Sequence, residues 1–161
     1  MSIRVYLNPG EVYVGRPDER IETVLGSCVA ITLWDARRQI GGMCHFLLPR
    51  HGMPQRAPAA LDGRYGDEAM ALLCGQMAAH GADIEGCEVK LFGGARVFDR
   101  EQAEGVGQIN AEFARTLIAD TGLKAINQDL GGRGYRYLRF QLDTGDVWVR
   151  YGASMPQAVP A

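Results

Sequence analysis

The chain has 161 residues, of which 47% are hydrophobic and 22% charged, with a formal net charge of −2. That balance fits a single soluble globular domain with its own core. It supplies no basic face for nucleic acid and no apolar run of the roughly 18 residues a bilayer span needs.

The start, Met1-Ser2-Ile3-Arg4, lacks the apolar stretch of a signal peptide, so a cytoplasmic location is expected. The four cysteines, Cys28, Cys44, Cys74 and Cys87, form no CxxC pair and are expected to be thiols.

Residues 12–14 read as a short strand. Residues 21–25 lead into a turn at Gly26-Ser27. Residues 29–34 alternate Val29, Ile31, Leu33 against Ala30, Thr32, Trp34, the period of a strand. Residues 35–38 form a polar turn and residues 41–48 the returning strand. Pro49, His51, Gly52, Pro54 and Pro58 mark a loop reaching about Gly66. Asp67 opens a helix carrying Met70, Leu73 and Met77, and Gly81 ends it. Residues 88–92 form a strand that stops at Gly93-Gly94. Asn110 is expected to cap a second helix, which buries Phe113, Leu117 and Ile118 and closes at Gly122. Strands near residues 125–128, 135–142 and 147–151 complete an α/β domain over residues 1–152, with a hairpin turn at Thr144-Gly145. The Pro-containing residues 153–161 are expected to be a disordered tail.

A four-residue loop at 35–38 would place residue i opposite residue 73 − i. Cys28 would then face His45, while Cys44 would turn to the other face as a core residue. A thiol is a poor nucleophile near neutral pH unless a base takes its proton, and an imidazole can do so. The turn before Cys28 could aim main-chain N–H groups at an oxyanion. The plainer reading of each residue, a small buried cysteine and a hydrogen-bonded core histidine, stays open on local pattern alone. A zinc site among Cys28, Cys44, His45 and His51 lacks the usual paired-ligand spacing.

Thr23 to Asp35, containing Leu25-Gly26-Ser27-Cys28-Val29, and Ile40 to Pro49, containing Gly41-Gly42 and His45, resemble the signature of the CheD chemoreceptor glutamine deamidase family. So do Asn8-Pro9-Gly10-Glu11, Phe92-Gly93-Gly94-Ala95, Ile109-Asn110, Asp129-Leu130-Gly131-Gly132 and Thr144-Gly145-Asp146-Val147. The resemblance implies a layered α/β/β sandwich with mixed sheets and two main helices, like deamidase toxins and related cysteine hydrolases. It implies deamidation of glutamines on the cytoplasmic helices of methyl-accepting chemotaxis receptors, without metal or cofactor. Cys28 would be the nucleophile and His45 the base. The alternative is an adaptor that binds receptors or a CheC-type phosphatase with little catalysis.

The family's third catalytic residue is a threonine, often six positions before the cysteine. Here that position is Glu22, and Thr23 lies one nearer. Neighbours on a strand face opposite ways, so only one can serve, and Thr23 is favoured for its residue type. Arg133, Arg136 and Arg139 read as solvated strand charges in preference to contacts with acidic receptor helices.

Overall fold

The structure is a computed structural model that describes residues 2–51, 61–97 and 105–152. The expected tail at 153–161 and part of the Pro-containing loop lie outside those residues. The elements in chain order are β1 (Ile3–Tyr6), β2 (Val12–Gly15), β3 (Glu19–Leu25), β4 (Val29–Asp35), β5 (Ile40–Phe46), α1 (Gly66–Ala79), β6 (Glu88–Gly93), α2 (Val106–Thr121), β7 (Ala125–Leu130), β8 (Tyr135–Gln141) and β9 (Val147–Gly152), with a short 3-10 turn at Ile84–Gly86.

The strands form two mixed sheets. One has the order β1-β3-β8-β9 and the other β2-β5-β4-β6-β7. Both helices pack on the five-stranded sheet, α1 against β5 and β2, α2 against β4 and β6. The result is three layers, helices over the five-stranded sheet over the four-stranded sheet, as the resemblance implied.

Two apolar cores follow from the alternation in β4. Val29, Ile31 and Leu33 join Cys44, Leu73 and Met77 beneath the helices. Ala30 packs on the opposite face with Met43, Ile21, Leu25, Leu138 and Phe140, between the sheets, with Cys28 and Trp34 beside them. β5 is therefore buried along its whole length, as expected of a strand covered on both faces.

The β4–β5 hairpin differs from its expected register by two residues. Asp35 pairs with Ile40 and Ala30 with His45, so the loop is 36–39. Asp35 remains in the strand because its carboxylate accepts from Arg38 N–H at 3.2 Å and from Asp83 N–H at 2.9 Å. The loop closes through Gln39, whose φ of 52° is left-handed. A shift of two leaves every side chain on its expected face. Cys44 thus stays in the helix-side core, and His45 becomes a diagonal neighbour of Cys28 in place of a directly opposed one.

Two further expectations are corrected. Asn110 does not cap α2, which starts four residues earlier behind Gly105. The earlier start is possible because residue 107 is a glycine: a Cβ there would sit 2.1 Å from Ala95 O. Arg136 is not solvated. It is buried, donating to Gly131 O at 2.7 Å, Gly93 O at 3.3 Å and Asp129 Oδ1 at 3.1 Å, and it braces the 93–94 turn.

Candidate active site

Cys28 lies between β3 and β4, just past the Gly26-Ser27 turn, with its side chain half-buried against the inter-sheet core. The chain around it is held from three directions. Ala95 N–H donates to Gly26 O at 3.0 Å and Gly94 N–H to Cys28 O at 2.8 Å. Asn110 Nδ2 donates to Ser27 O at 2.9 Å.

His45 projects from β5 to the same inter-sheet face and is 1% exposed. Thr23, opposite Leu138 on β8, reaches it from the other sheet. Thr23 Oγ1 lies 2.8 Å from His45 Nδ1 and 2.7 Å from Leu7 O. These two contacts fix the tautomer. A carbonyl oxygen only accepts, so the single hydroxyl proton of Thr23 goes to Leu7 O. The hydroxyl must then accept from Nδ1–H, which leaves Nε2 with its lone pair. Nε2 is buried and has no hydrogen-bond partner among the described residues. Cys28 shares its face but makes no hydrogen bond to it among the described residues.

Burial sets the charge states. It holds the His45 pKa down to about 4 and pushes the Cys28 thiol up to about 11, the latter opposed in part by the residue's own backbone N–H. The resting pair is a neutral thiol and a neutral imidazole, not an ion pair. Cys44 is pushed up to about 12 by burial among apolar side chains on the helix side, away from His45. A zinc site shared by these residues is incompatible with that orientation.

The His45 shift has a thermodynamic consequence. Unfolded histidine takes up its proton near pH 6.5, whereas the folded protein binds it only near pH 4. Between those values the unfolded state binds more protons, so stability falls as pH drops. The expected loss from pH 6.5 to 4 is about 3 kcal/mol. It is checked by urea unfolding across that range, and His45→Gln should remove that part of the slope.

Glu22 faces the other way, out of the four-stranded sheet. Its carboxylate accepts from Arg4 at 2.6 Å, Arg20 at 2.8 Å and Arg139 at 3.2 Å, with Tyr137 Oη at 3.3 Å. Burial alone would raise its pKa, but hydrogen bonds from Arg20 and Arg4 and the charges of Arg4 and Arg139 hold it below the usual carboxylate range. Thr23, not Glu22, is the residue in contact with His45.

Asn110 is the site residue that sequence reasoning assigned to another task. It is fully buried, and the same Nδ2 that holds Ser27 O also donates to Leu47 O at 2.8 Å, two residues past His45. Its Oδ1 is buried without a partner among the described residues. The available signal was a polar residue flanked by Ala111 and Ala114 on the packed face of a helix.

The family model described as CheD chemotactic sensory transduction matches residues 47–151, a span that starts just beyond His45. Over longer stretches the chain is similar to three proteins named probable chemoreceptor glutamine deamidase CheD. The relative from Dechloromonas aromatica is 42% identical over 149 residues, 91% of this chain and 86% of the relative. That from Pseudomonas savastanoi pv. phaseolicola is 44% identical over 151 residues, covering 91% and 84%. That from Vibrio cholerae serotype O1 is 39% identical over 163 residues, covering 96% and 69%.

Proposed function

The chain belongs to the CheD family, and from that premise we propose that it deamidates glutamines of chemoreceptors through a thioester on Cys28. The observation that carries the reading is the Leu7–Thr23–His45 chain, which leaves the His45 Nε2 lone pair unpartnered on the face shared with Cys28.

In this mechanism Cys28 Sγ attacks the carboxamide carbon of the glutamine as Nε2 takes the thiol proton. The carboxamide oxygen becomes an oxyanion, held by N–H groups of the Gly26–Cys28 turn. Collapse breaks the C–N bond, and the imidazolium returns its proton to the departing ammonia. Water then attacks the thioester, Nε2 takes its proton, and Cys28 leaves as the thiol once reprotonated. The product is glutamate. Thr23 holds the imidazole in the required tautomer throughout and takes no proton itself. A Sγ–Nε2 hydrogen bond formed only in the substrate complex fits this mechanism, since catalytic hydrogen bonds often tighten only there.

A neutral resting pair suits this chemistry. The thiol is not exposed as a standing thiolate, and its proton leaves only as the attack proceeds. The proposed setting is the cytoplasm, on receptor cytoplasmic helices. No described helix is long and apolar enough to cross a membrane.

The test is intact-mass measurement and peptide mapping of a receptor cytoplasmic fragment incubated with wild type or Cys28→Ala. The wild type should add about one dalton per modified glutamine, the exchange of NH2 for OH, and Cys28→Ala none. Binding without any mass change by the wild type would replace this reading with the adaptor one, on receptors or a CheC-type phosphatase.

A further inference from the structure

We propose that Asn110 is a positioning residue that fixes the direction of the Ser27–Cys28 peptide and so aims the Cys28 N–H at the oxyanion. The inference rests on the deamidase reading above and adds to it the residue that orients the oxyanion donor.

Three successive carbonyls flank the proposed nucleophile, and each is tied. Gly26 O and Cys28 O are held by the main-chain N–H groups of Ala95 and Gly94. Ser27 O is held by the Asn110 side chain. In a trans peptide the C=O and N–H point to opposite sides of the bond, and no cis peptide occurs among the described residues. Holding Ser27 O toward α2 therefore turns Cys28 N–H away from α2. That N–H has no main-chain partner among the described residues, and it lies near its own sulfur. A donor beside Sγ, with no other acceptor among the described residues, is where the oxygen of a carbonyl under attack by Sγ can be met.

The three ties are not equivalent. Those from Ala95 and Gly94 are main chain and survive side-chain substitution. The tie to the peptide that carries the donor is the one a side chain makes. The same amide holds Leu47 O, so it also links the turn of the proposed nucleophile to the end of the strand bearing the proposed base. Both Nδ2 hydrogens are used, while Oδ1 is left buried and unpaired among the described residues. An unpaired buried acceptor is destabilising, and a leucine would avoid it. The amide's contribution at this position thus lies in its two donors. Without them the Ser27–Cys28 peptide can rotate, and a flipped peptide presents its carbonyl oxygen to the developing negative charge in place of a proton.

The test compares wild type with Asn110→Ala and Asn110→Leu, the second filling a similar volume without either donor or the unpaired acceptor. Deamidation of a receptor cytoplasmic fragment gives kcat and KM. Alkylation of Cys28 by iodoacetamide, located by peptide mapping, reports the thiol by a reaction that forms no oxyanion. The expected result is a fall in kcat of about 10², with KM within about threefold and alkylation within about twofold of wild type. A kcat within about threefold of wild type overturns the proposal. So does a parallel fall in kcat and alkylation, which would show Asn110 holding the thiol itself. If Asn110→Ala unfolds under assay conditions, Asn110→Leu carries the comparison. Failure of the underlying reading shows separately, as a wild-type protein without turnover, and the inference falls with it.

Discussion

Exchanging His45 for glutamine should lower kcat for receptor-fragment deamidation by about 10³, the usual scale for losing a positioned general base. The buried thiol, with its pKa near 11, has no other way to shed its proton at neutral pH. Thr23→Val should cost less, about 10–10² in kcat, because the imidazole survives but loses its orientation and tautomer. Valine keeps the shape of threonine, yet it strands His45 Nδ1–H and Leu7 O together. An unpaired buried donor costs about 1–3 kcal/mol, so the ring is driven to rotate or to exchange its proton to Nε2. Either change removes the lone pair from the Cys28 side. The double variant should then be no slower than His45→Gln alone, because Thr23 acts only through the imidazole. Initial rates of ammonia release from wild type, both single variants and the double variant decide this. If the two losses multiply, Thr23 has a role independent of His45.

The layered fold was legible where the hydrophobic pattern was strong. The alternation in residues 29–34 predicted β4 and its two faces, and the glycines at 81 and 122 marked both helix ends. The hairpin register was not, because it depends on contacts far along the chain: Asp35 accepts from Asp83 N–H, and Gln39 donates to Asp143 O. β1 escaped notice for a similar reason. It is four residues long and exists through its parallel pairing with β3. Alternation alone established that Glu22 and Thr23 face opposite ways, but not which of them faces inward. That is decided by β8, whose Leu138 and Phe140 fill the inter-sheet core opposite Thr23 and Ile21. The task of Asn110 was hidden for a different reason. Its partners are the carbonyls of Ser27 and Leu47, and carbonyls carry no sequence signal.

Glu22→Gln should separate structure from chemistry on β3. The Glu22 side chain is 2% exposed and the guanidinium-bearing chains of Arg4, Arg20 and Arg139 close over it. Removing the acceptor charge leaves three cations around a neutral amide, which should cost about 2–4 kcal/mol, moderated by the partial exposure of the arginines. Chemical unfolding at pH 7 measures it. kcat at a temperature where the variant stays folded should remain close to wild type, since the carboxylate points away from His45. The acid limbs of the two residues share a sign, since both groups hold folded pKa values below their unfolded ones, and differ in window. Glu22 has a folded pKa below its unfolded one, so its contribution is present above the ordinary carboxylate range and is lost as pH falls through the lower folded value. His45 loses its contribution earlier, between pH 6.5 and about 4. Glu22→Gln should therefore flatten the lower part of the acid unfolding curve and leave the upper part, while His45→Gln should do the reverse. A large loss of kcat in Glu22→Gln, with stability little changed, would return the carboxylate to the catalytic role and displace Thr23 from it.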